Sequence, residues 1–481
     1  MPTCDTLIGN VQILDGSGNQ PRAGAVAIED SRIQAVGDVD GYSARENIDA
    51  HGHVLAPGFI DVHTHDDLYL IRAPEMLPKL SQGVTTVIVG NCGISAAPVQ
   101  LSRNFPDPMN LLGEEDAFRY PAFPEYVSAV TAAEPAVNVA ALVGHTALRN
   151  NHMDLLDRAA TGTELAAMQD QLREALDHGA IGLSTGLAYL SAYSASADEV
   201  QGLAKVLSNA SALYTTHLRN ESDGVLQAMD EAFLIGKHAN VPVVVSHLKC
   251  AGIDNWGGSG EVLQSLERAR TTQPVGCDCY PYAASSSTLD LRQVDERVLI
   301  TITWSTPHPE IAGRSLAEIA EAWGVTQLEA GRRLQPAGAI YHGISEDDVR
   351  AILKHPATMI GSDGLPNDPL PHPRLWGTFP RVLGRYSREL RLFSLSEAVR
   401  KMTSLPAKTF RLKHRGWIRE GYFADLVLFD AERICDMASF TNPVQASAGI
   451  YGVWVNGVLC YRNGTPTGQR AGRFLLRQSI S

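Results

Sequence analysis

Short apolar runs alternate with amphipathic segments through the middle of the chain. The runs are rich in β-branched residues, and segments such as 163–179 separate them, with apolar positions recurring at intervals of three and four. This alternation is typical of parallel β/α units. The eight runs are LAPGFIDVHTH (55–65), VTTVIVGNC (84–92), NVAALVGH (138–145), AIGLST (180–185), ALYTTH (212–217), VPVVVSH (241–247), PVGCDCY (274–280) and ATMIGSD (357–363). They predict an α/β fold with a closed, TIM-like (β/α)8 barrel.

The two ends of the chain have a different pattern. Residues 1–57 contain alternating segments between Gly, Asn and Asp turns, and the tail carries the hairpin pattern DLVLFD and VWVNGVLCYRNG. Neither end is long enough in strands to form a stable domain alone. We therefore predict that 1–57 and 412–481 together form a small β-sandwich, with a barrel of residues 58–411 inserted between them. Two connections, roughly 93–136 and 281–356, exceed ordinary loop lengths, which predicts insertions over one face, the second a candidate lid.

Polar side chains stand at the ends of nearly all the predicted strands, where the active site of such a barrel lies. Side chains two apart on a strand point the same way, so His63 and His65 both face the mouth of the barrel. A lone histidine there would more often be a hydrogen-bonded core residue. Four imidazoles (those of His63, His65, His217 and His247), one thiol and one carboxylate on a single rim instead predict a metal site, because zinc prefers imidazole and thiolate ligands. The strand-end residues are His63, His65, Cys92, His145, Ser184, His217, His247, Tyr280 and Asp363.

These motifs resemble those of the amidohydrolase superfamily, and the resemblance covers the whole chain. DVHTH after the first strand, a histidine after strands five and six, IGSDG at strand eight and the return GWIREGYFADLVLFD (416–430) all match. Many members bridge their metals with a lysine or glutamate from strand four, but IGLSTG (181–186) supplies neither, and Cys92 in GNCGIS fills that gap. With YTTHLRNE (214–221), SHLKC (246–250) and YPYAASSST (280–288), this cysteine resembles specifically the D-aminoacylase branch, the N-acyl-D-amino-acid deacylases.

The resemblance implies a zinc-dependent enzyme that hydrolyses N-acyl-D-amino acids to a carboxylic acid and a free D-amino acid. By that resemblance, Cys92, His217 and His247 hold a tightly bound Zn2+. His63 and His65 match a second, weaker metal position that shares the cysteine. The number of metals occupied and the preferred acyl group are not predicted.

Asp363 matches the general acid/base of the family. Amide hydrolysis needs a base within about 3 Å of a metal-held water and a cation that polarises the carbonyl oxygen. Asp363 is placed to take the proton and return it to the leaving amine. The alternative is an aspartate that only caps the turn in S-D-G.

The leaving amine is an amino acid, so the pocket should contain a cationic clamp for its α-carboxylate. Charge-assisted hydrogen bonds of that kind contribute roughly 1.5–3 kcal/mol each. An isolated lysine or arginine would instead be expected at the solvated surface, and a loop tyrosine in ordinary packing. The residues that match the family's substrate-binding positions are Lys249, Arg374, Tyr280, Ser286 and Tyr189. Anchoring the match on the following threonine selects Ser287 instead of Ser286.

Side-chain preference divides the family between hydrophobic D-amino acids, D-glutamate and D-aspartate. The selecting residues lie largely in the insertion after strand seven, here 289–310. Arg292 or Arg297 could pair with a second substrate carboxylate, or equally with an acidic neighbour in the same segment. ITWSTPHPE resembles the glutamate-preferring members, which slightly favours N-acyl-D-glutamate. His145 matches none of the metal positions; a contact with the metal ligands or with the oxyanion, and a merely structural role, are both open.

Two other functions remain open. A cyclic-amide hydrolase such as a dihydroorotase or hydantoinase shares the barrel and the His-x-His motif, but usually has the strand-four lysine that is missing here. A non-catalytic scaffold usually shows eroded ligands, whereas all six are present in this sequence.

Composition limits the partners and the location. The formal net charge of -13 argues against nucleic acid and anionic membranes, because those affinities depend on clustered Lys and Arg. No long apolar stretch or signal-like start is present, so the cytoplasm is the expected location. Seven scattered cysteines predict free thiols, and Cys277-x-Cys279 fits small buried strand residues better than a metal pair. A small N-acyl amino acid is the expected partner, and no oligomeric state is predicted.

Overall fold

A parallel sheet forms the centre of the computed structural model, which describes residues 2–39, 41–101 and 105–477. The strands of the described residues, in order, are β1 (Thr3–Ile13), β2 (Arg22–Glu29), β3 (Arg32–Gly37), β4 (Ser43–Asp49), β5 (Val54–Pro57), β6 (Phe59–Asp61), β7 (Val84–Val89), β8 (Asn138–Gly144), β9 (Gly182–Gly186), β10 (Leu213–His217), β11 (Val243–Val245), β12 (Val275–Cys279), β13 (Ser285–Thr288), β14 (Ile300–Ser305), β15 (Ala337–Tyr341), β16 (Thr358–Ile360), β17 (Leu426–Phe429), β18 (Ile450–Val455), β19 (Val458–Arg462) and β20 (Thr465–Pro466).

Helices connect these strands. The α-helices are α1 (Tyr69–Arg72), α2 (Leu77–Leu80), α3 (Phe123–Ala133), α4 (His145–His152), α5 (Gly162–Asp177), α6 (Leu190–Tyr193), α7 (Ala197–Ala210), α8 (Val225–Ala239), α9 (Ser259–Arg270), α10 (Leu316–Trp323), α11 (Gln327–Leu334), α12 (Glu346–Lys354), α13 (Arg374–Arg381), α14 (Leu395–Met402) and α15 (Ser404–Thr409). Short 3-10 helices cover Met109–Leu111, Glu115–Ala117, Ile253–Asn255, Leu291–Gln293 and Pro309–Ile311, and a π-helix covers Val382–Glu389. No helix in the described part of the chain is long and apolar enough to cross a membrane.

The barrel is the eight-stranded parallel sheet in the order β6-β7-β8-β9-β10-β11-β12-β16. A parallel bridge between Thr64 and Gly364 joins the chain after β6 to the chain after β16 and so closes the ring. The predicted (β/α)8 fold is therefore confirmed. Because the strands are parallel, the polar residues that follow them gather at one end of the barrel.

One predicted strand was too long. The run 55–65 is divided: β5 pairs with β1 and β17 in a second sheet, and only β6 enters the barrel. Gly58 lies between the two strands, where an added Cβ would be 2.2 Å from Thr85 Oγ1. The chain therefore passes from one sheet to the other at a point where no side chain fits.

The second sheet is built from both chain ends, as predicted. It has nine strands in the order β20-β19-β18-β17-β5-β1-β2-β3, with β4 also paired to β1. The junction is the antiparallel pair of β5 and β17, and buried residues such as Ile28, Leu426 and Trp454 form its core. The domain boundaries at residues 57 and 412 stay predictions.

The long insertion after β12 folds on a small core of its own. Its three strands form an antiparallel sheet in the order β13-β15-β14, against which α10 and α11 pack through residues such as Leu316 and Leu334. The strand β13 faces the mouth of the barrel and lines the cavity described below. A lid role for this insertion stays a prediction.

The cysteines behave as the sequence indicates. All seven are free, and Cys277 and Cys279 are buried in β12. The Cys277 thiol lies 3.4 Å from Thr358 Oγ1, and the Cys279 thiol donates to the carbonyl of Tyr280.

Candidate active site

Cys92 stands on a tight turn after β7. Its own φ is +53°, and Gly90 and Gly93 have φ values of +77° and +76°. An added Cβ at Gly90 would lie 2.2 Å from the carbonyl oxygen of Leu142, so only glycine fits there. Ser184 on β9 holds the turn, because its hydroxyl donates to the Gly90 carbonyl and accepts from the Gly93 N–H. The local sequence GNCG thus presents the thiol to the barrel axis.

The donor atoms of the predicted ligands form two clusters that share this thiol. Within each cluster, all donor atoms lie within 4.8 Å of one another. Cys92 Sγ is 3.1 Å from His63 Nε2 and 3.3 Å from His247 Nε2. The first cluster is His63, His65, Cys92 and Asp363, and the second is Cys92, His217 and His247.

The electrostatics of these clusters suit a bound cation. Burial on its own raises the pKa of the Cys92 thiol, but His63 and His247 outweigh it and hold the pKa well below its usual range. Burial lowers the pKa of His65, yet its bond to Asp363 and the charge of Cys92 raise it to about 9. The pKa of His247 is likewise raised to about 9 against burial, by Glu221 and Cys92. The site thus concentrates negative charge among imidazoles.

Unpaired ring nitrogens add to this fit. The Nδ1 atoms of His65 and His217 are buried, and neither has a hydrogen-bond partner among the described residues. Buried polar atoms are normally paired, and imidazole nitrogen and thiolate sulfur are preferred zinc ligands. The residues present therefore fit a metal ion of the zinc type.

Asp363 follows β16 and faces His63 and His65, the two candidate metal ligands that follow β6. Its backbone φ is +51°, and its N–H donates to the carbonyl of His63 at 2.8 Å. Its Oδ1 is 3.1 Å from His65 Nε2, and its Oδ2 is 2.9 Å from Arg374 Nη1. Burial would raise the pKa of this carboxyl, but Arg374 and His63 hold it well below its usual range. Arg374 and His63 thus favour the carboxylate form of Asp363, which can accept a proton.

A cavity of about 380 Å3 opens beside these residues. His65, His217, His247 and Asp363 form its floor, and Lys249, Tyr280, Ser286 and Tyr189 line its walls. Arg374 lies behind the wall, where its Nη2 donates to the Ser286 carbonyl at 2.9 Å and its guanidinium covers the Tyr280 ring at 4.7 Å. The structure thus brings four of the five predicted substrate residues to the surface of one cavity, and Arg374 contacts two of them, Ser286 and Tyr280.

A sequence profile of the amidohydrolase family matches residues 46–461. This chain belongs to the amidohydrolase family. It is 47% identical to the D-aminoacylase of Alcaligenes xylosoxydans xylosoxydans over 477 residues, which cover 98% of each chain. It is also 47% identical to the N-acyl-D-aspartate deacylase of that organism over 472 residues, 98% of this chain and 95% of the relative.

A solved structure is equally similar. The N-acyl-D-glutamate deacylase of Bordetella bronchiseptica, complexed with zinc and a phosphonate inhibitor that mimics the tetrahedral intermediate, is 47% identical. It superimposes with a TM-score of 0.95 over 99% of this amidohydrolase and 100% of the other chain. A D-aminoacylase, an N-acyl-D-aspartate deacylase and an N-acyl-D-glutamate deacylase thus share the same 47% identity with this chain.

Sequence reasoning missed two carboxylates that support the histidines of this amidohydrolase. Asp278 Oδ1 lies 3.3 Å from His63 Nδ1 and accepts the backbone N–H of His247 at 2.9 Å. Glu221 contacts Lys249 at 2.7 Å and His247 Nδ1 at 2.9 Å. The available signals were the alternation in C-D-C, which turns Asp278 away from its cysteine neighbours, and the position of Glu221 four residues after His217.

Asp61, which precedes the His-x-His motif, belongs to a buried ion-pair cluster. Lys79 is fully buried, and its Nζ lies 2.8 Å from Asp61 Oδ2, 3.2 Å from Asp66 Oδ2 and 3.0 Å from Ser362 Oγ. The lysine of α2 thereby ties the chain after β6 to the chain after β16. These two segments carry His63, His65 and Asp363, so the cluster supports the first group of donors.

The residues left open by the sequence lie in different places. His145 begins α4 and pairs with the buried Glu199 at 2.9 Å, which supports a structural role. Arg292 lines the cavity and makes two parallel bonds to Asp290, at 3.0 and 2.7 Å. Arg297 has a half-exposed side chain and pairs with two other aspartates, Asp254 and Asp295.

Proposed function

We propose that this amidohydrolase is a zinc-dependent N-acyl-D-amino-acid deacylase that hydrolyses linear amides to a carboxylic acid and a free D-amino acid. The observation that carries the proposal is the Cys92 thiol shared by two donor clusters, one of which includes the Asp363 carboxylate. Full-length identity of 47% to a D-aminoacylase supports the substrate class and the D configuration.

Cys92, His217 and His247 would hold the tightly bound zinc. His63 and His65, with the same thiol, form the weaker second position. A zinc ion supplies Lewis acidity, which polarises a carbonyl oxygen and lowers the pKa of bound water to about 7.

Asp363 moves the proton. It accepts the proton of the attacking water and returns it to the nitrogen of the leaving amine, so that one carboxylate serves first as base and then as acid. Arg374 keeps the carboxylate ionised at the start of the cycle and fixes its orientation through Oδ2.

The α-carboxylate of the substrate binds between two cations and two hydroxyl groups. Lys249 Nζ and the Arg374 guanidinium lie 5.9 and 4.7 Å from the centre of the Tyr280 ring. The Tyr280 hydroxyl and the Ser286 hydroxyl are buried and have no hydrogen-bond partner among the described residues. These unpaired groups suit a carboxylate; the Ser287 hydroxyl is also buried without a partner among the described residues and lines the same cavity, so Ser286 and Ser287 are equal candidates. Tyr189, whose ring lies 4.8 Å from that of His217, covers the acyl end of the site.

The alternative functions lose support. Ser184, at the strand-four position where cyclic-amide hydrolases usually carry a bridging lysine, is engaged in holding the Cys92 turn. A non-catalytic scaffold does not account for the intact donor clusters. The free thiols favour a cytoplasmic location. The proposed partner is a small N-acyl amino acid, the substrate.

The direct test is a substrate panel on the purified protein with zinc present. N-acetyl-D-amino acids, their L-enantiomers and dihydroorotate are compared by amine release or ring opening, before and after chelation. We expect release from the D series alone, lost on chelation and restored by zinc. Turnover of dihydroorotate or of the L series in its place would contradict the proposal.

Among D-amino acids, we favour N-acyl-D-glutamate. Arg292 is the arginine of the insertion that lines the cavity, and the side-chain carboxylate of a D-glutamyl substrate would compete with Asp290 for its guanidinium.

Replacement of Arg292 by glutamine is expected to lower kcat/KM for N-acetyl-D-glutamate by about 10- to 100-fold, the loss of one charge-assisted pair. The value for N-acetyl-D-leucine should change little. Arg297→Gln is the matched control, because Arg297 pairs with aspartates outside the cavity wall. Equal effects of Arg292→Gln on both substrates would contradict this preference.

A further inference from the structure

Glu221 connects the two histidines of the second donor cluster. It follows β10, and its side chain is only 15% exposed. Its Oε2 lies 3.5 Å from His217 Nε2, and its Oε1 lies 2.9 Å from His247 Nδ1. One carboxylate therefore faces opposite ring nitrogens of two neighbouring imidazoles.

The second nitrogen of each ring is available to the cluster around Cys92. His247 Nε2 is 3.3 Å from Cys92 Sγ, and the buried Nδ1 of His217 has no hydrogen-bond partner among the described residues. A carboxylate only accepts hydrogen bonds, so the ring nitrogen that faces it carries the proton. In a neutral imidazole the other nitrogen then keeps its lone pair, which is what a metal ligand requires.

Lys249 could reverse this position of the ring proton at His247. Its Nζ lies 2.8 Å from His247 Nδ1 and 2.7 Å from Glu221 Oε1. An ammonium group only donates, so a bond from Lys249 to Nδ1 would move the ring proton to Nε2. That proton would occupy the nitrogen that faces Cys92. With Glu221 ionised, the ammonium donates to Oε1, and a proton on His247 Nδ1 faces the same oxygen at 2.9 Å, so the conflict is removed.

We infer that Glu221 is a positioning residue that directs the ring protons of His217 and His247 away from the metal position and keeps Lys249 from reversing this at His247. The inference rests on the proposed zinc-dependent function, because it treats both histidines as ligands. The Glu221 carboxylate thus orients two candidate ligands and also positions the ammonium group of Lys249.

The test measures zinc affinity of the full-length protein by competition with a chromogenic chelator, without substrate. Glu221→Gln keeps the size of the side chain but loses the charge, and its amide group also donates. We expect its zinc affinity to fall by about 10- to 100-fold, as is usual when a supporting carboxylate is lost. Glu221→Asp keeps the charge on a shorter arm and should give an intermediate affinity.

Lys249→Met separates this mechanism from a simple loss of charge. Alone, it should raise KM for the substrate without weakening zinc binding. Combined with Glu221→Gln, it removes the competing donor, so the double variant should bind zinc more tightly than Glu221→Gln alone, a non-additive result.

Glu231→Gln is the matched control. Glu231 pairs with Arg219, two residues after His217, at 2.7 Å, and its loss should leave zinc affinity unchanged. Wild-type affinity in Glu221→Gln, or no recovery in the double variant, would overturn the inference. If Glu221→Gln does not fold, the same comparison is made between Glu221→Asp and its double variant with Lys249→Met, where no increase overturns it. A wild-type protein that binds no zinc would overturn the proposed function as well.

Discussion

Replacement of Asp363 by asparagine is expected to lower kcat for the best N-acyl-D-amino acid by about 10²- to 10⁴-fold, the usual contribution of a general acid/base. Asparagine has nearly the same shape, so the contacts to His65 and Arg374 can largely be kept. It cannot take a proton from water or return one to the amine. The measurement is kcat under saturating substrate, with the zinc content of the same sample determined by elemental analysis.

Asp254→Asn serves as the control for the Asp363 variant. Asp254 is mostly exposed and pairs with Arg297, so this change removes a carboxylate without touching the cavity. Its kcat should equal that of the wild type. An Asp363→Asn enzyme with normal zinc content and normal kcat would show that another group moves the proton.

Replacement of Cys92 by serine is expected to reduce zinc affinity by more than about 100-fold, above the range seen when only a supporting residue is lost. The thiolate is the one donor that both clusters share, so its loss weakens both metal positions together. Activity should fall with zinc content and recover in part at high zinc concentration. Chelator competition measures the affinity, and turnover during zinc titration measures the recovery.

Cys435→Ser is the control for the Cys92 variant. Cys435 is partly exposed and its thiol contacts Met437 Sδ, so the change removes a thiol outside the site. It should leave zinc affinity and turnover at their wild-type values. If Cys92→Ser retains both zinc and activity, the shared-thiol centre is wrong.

The sequence by itself determined the barrel and the donors of the site. The β/α alternation is a local pattern, and parallel strands bring their following residues to one end whatever their distance along the chain. His-x-His gives two side chains on one face from strand geometry alone. For these reasons the sequence alone predicts the eight strands and the candidate set from His63 to Asp363.

Only the tertiary structure decided which other groups support that site. Asp278 meets His63 across 215 positions of sequence, and Lys79 meets Ser362 across 283, and no local pattern encodes such pairs. The sequence also could not show that Arg292, and not Arg297, lines the cavity. Each of the two arginines has an aspartate two residues before it, so their local sequences look alike. Side-chain pairing depends on where folded segments meet, whereas strand and helix periodicity depends on neighbours along the chain. That difference is why the sequence predicts the candidate ligands, whereas the folded chain was needed to show which groups Glu221 contacts.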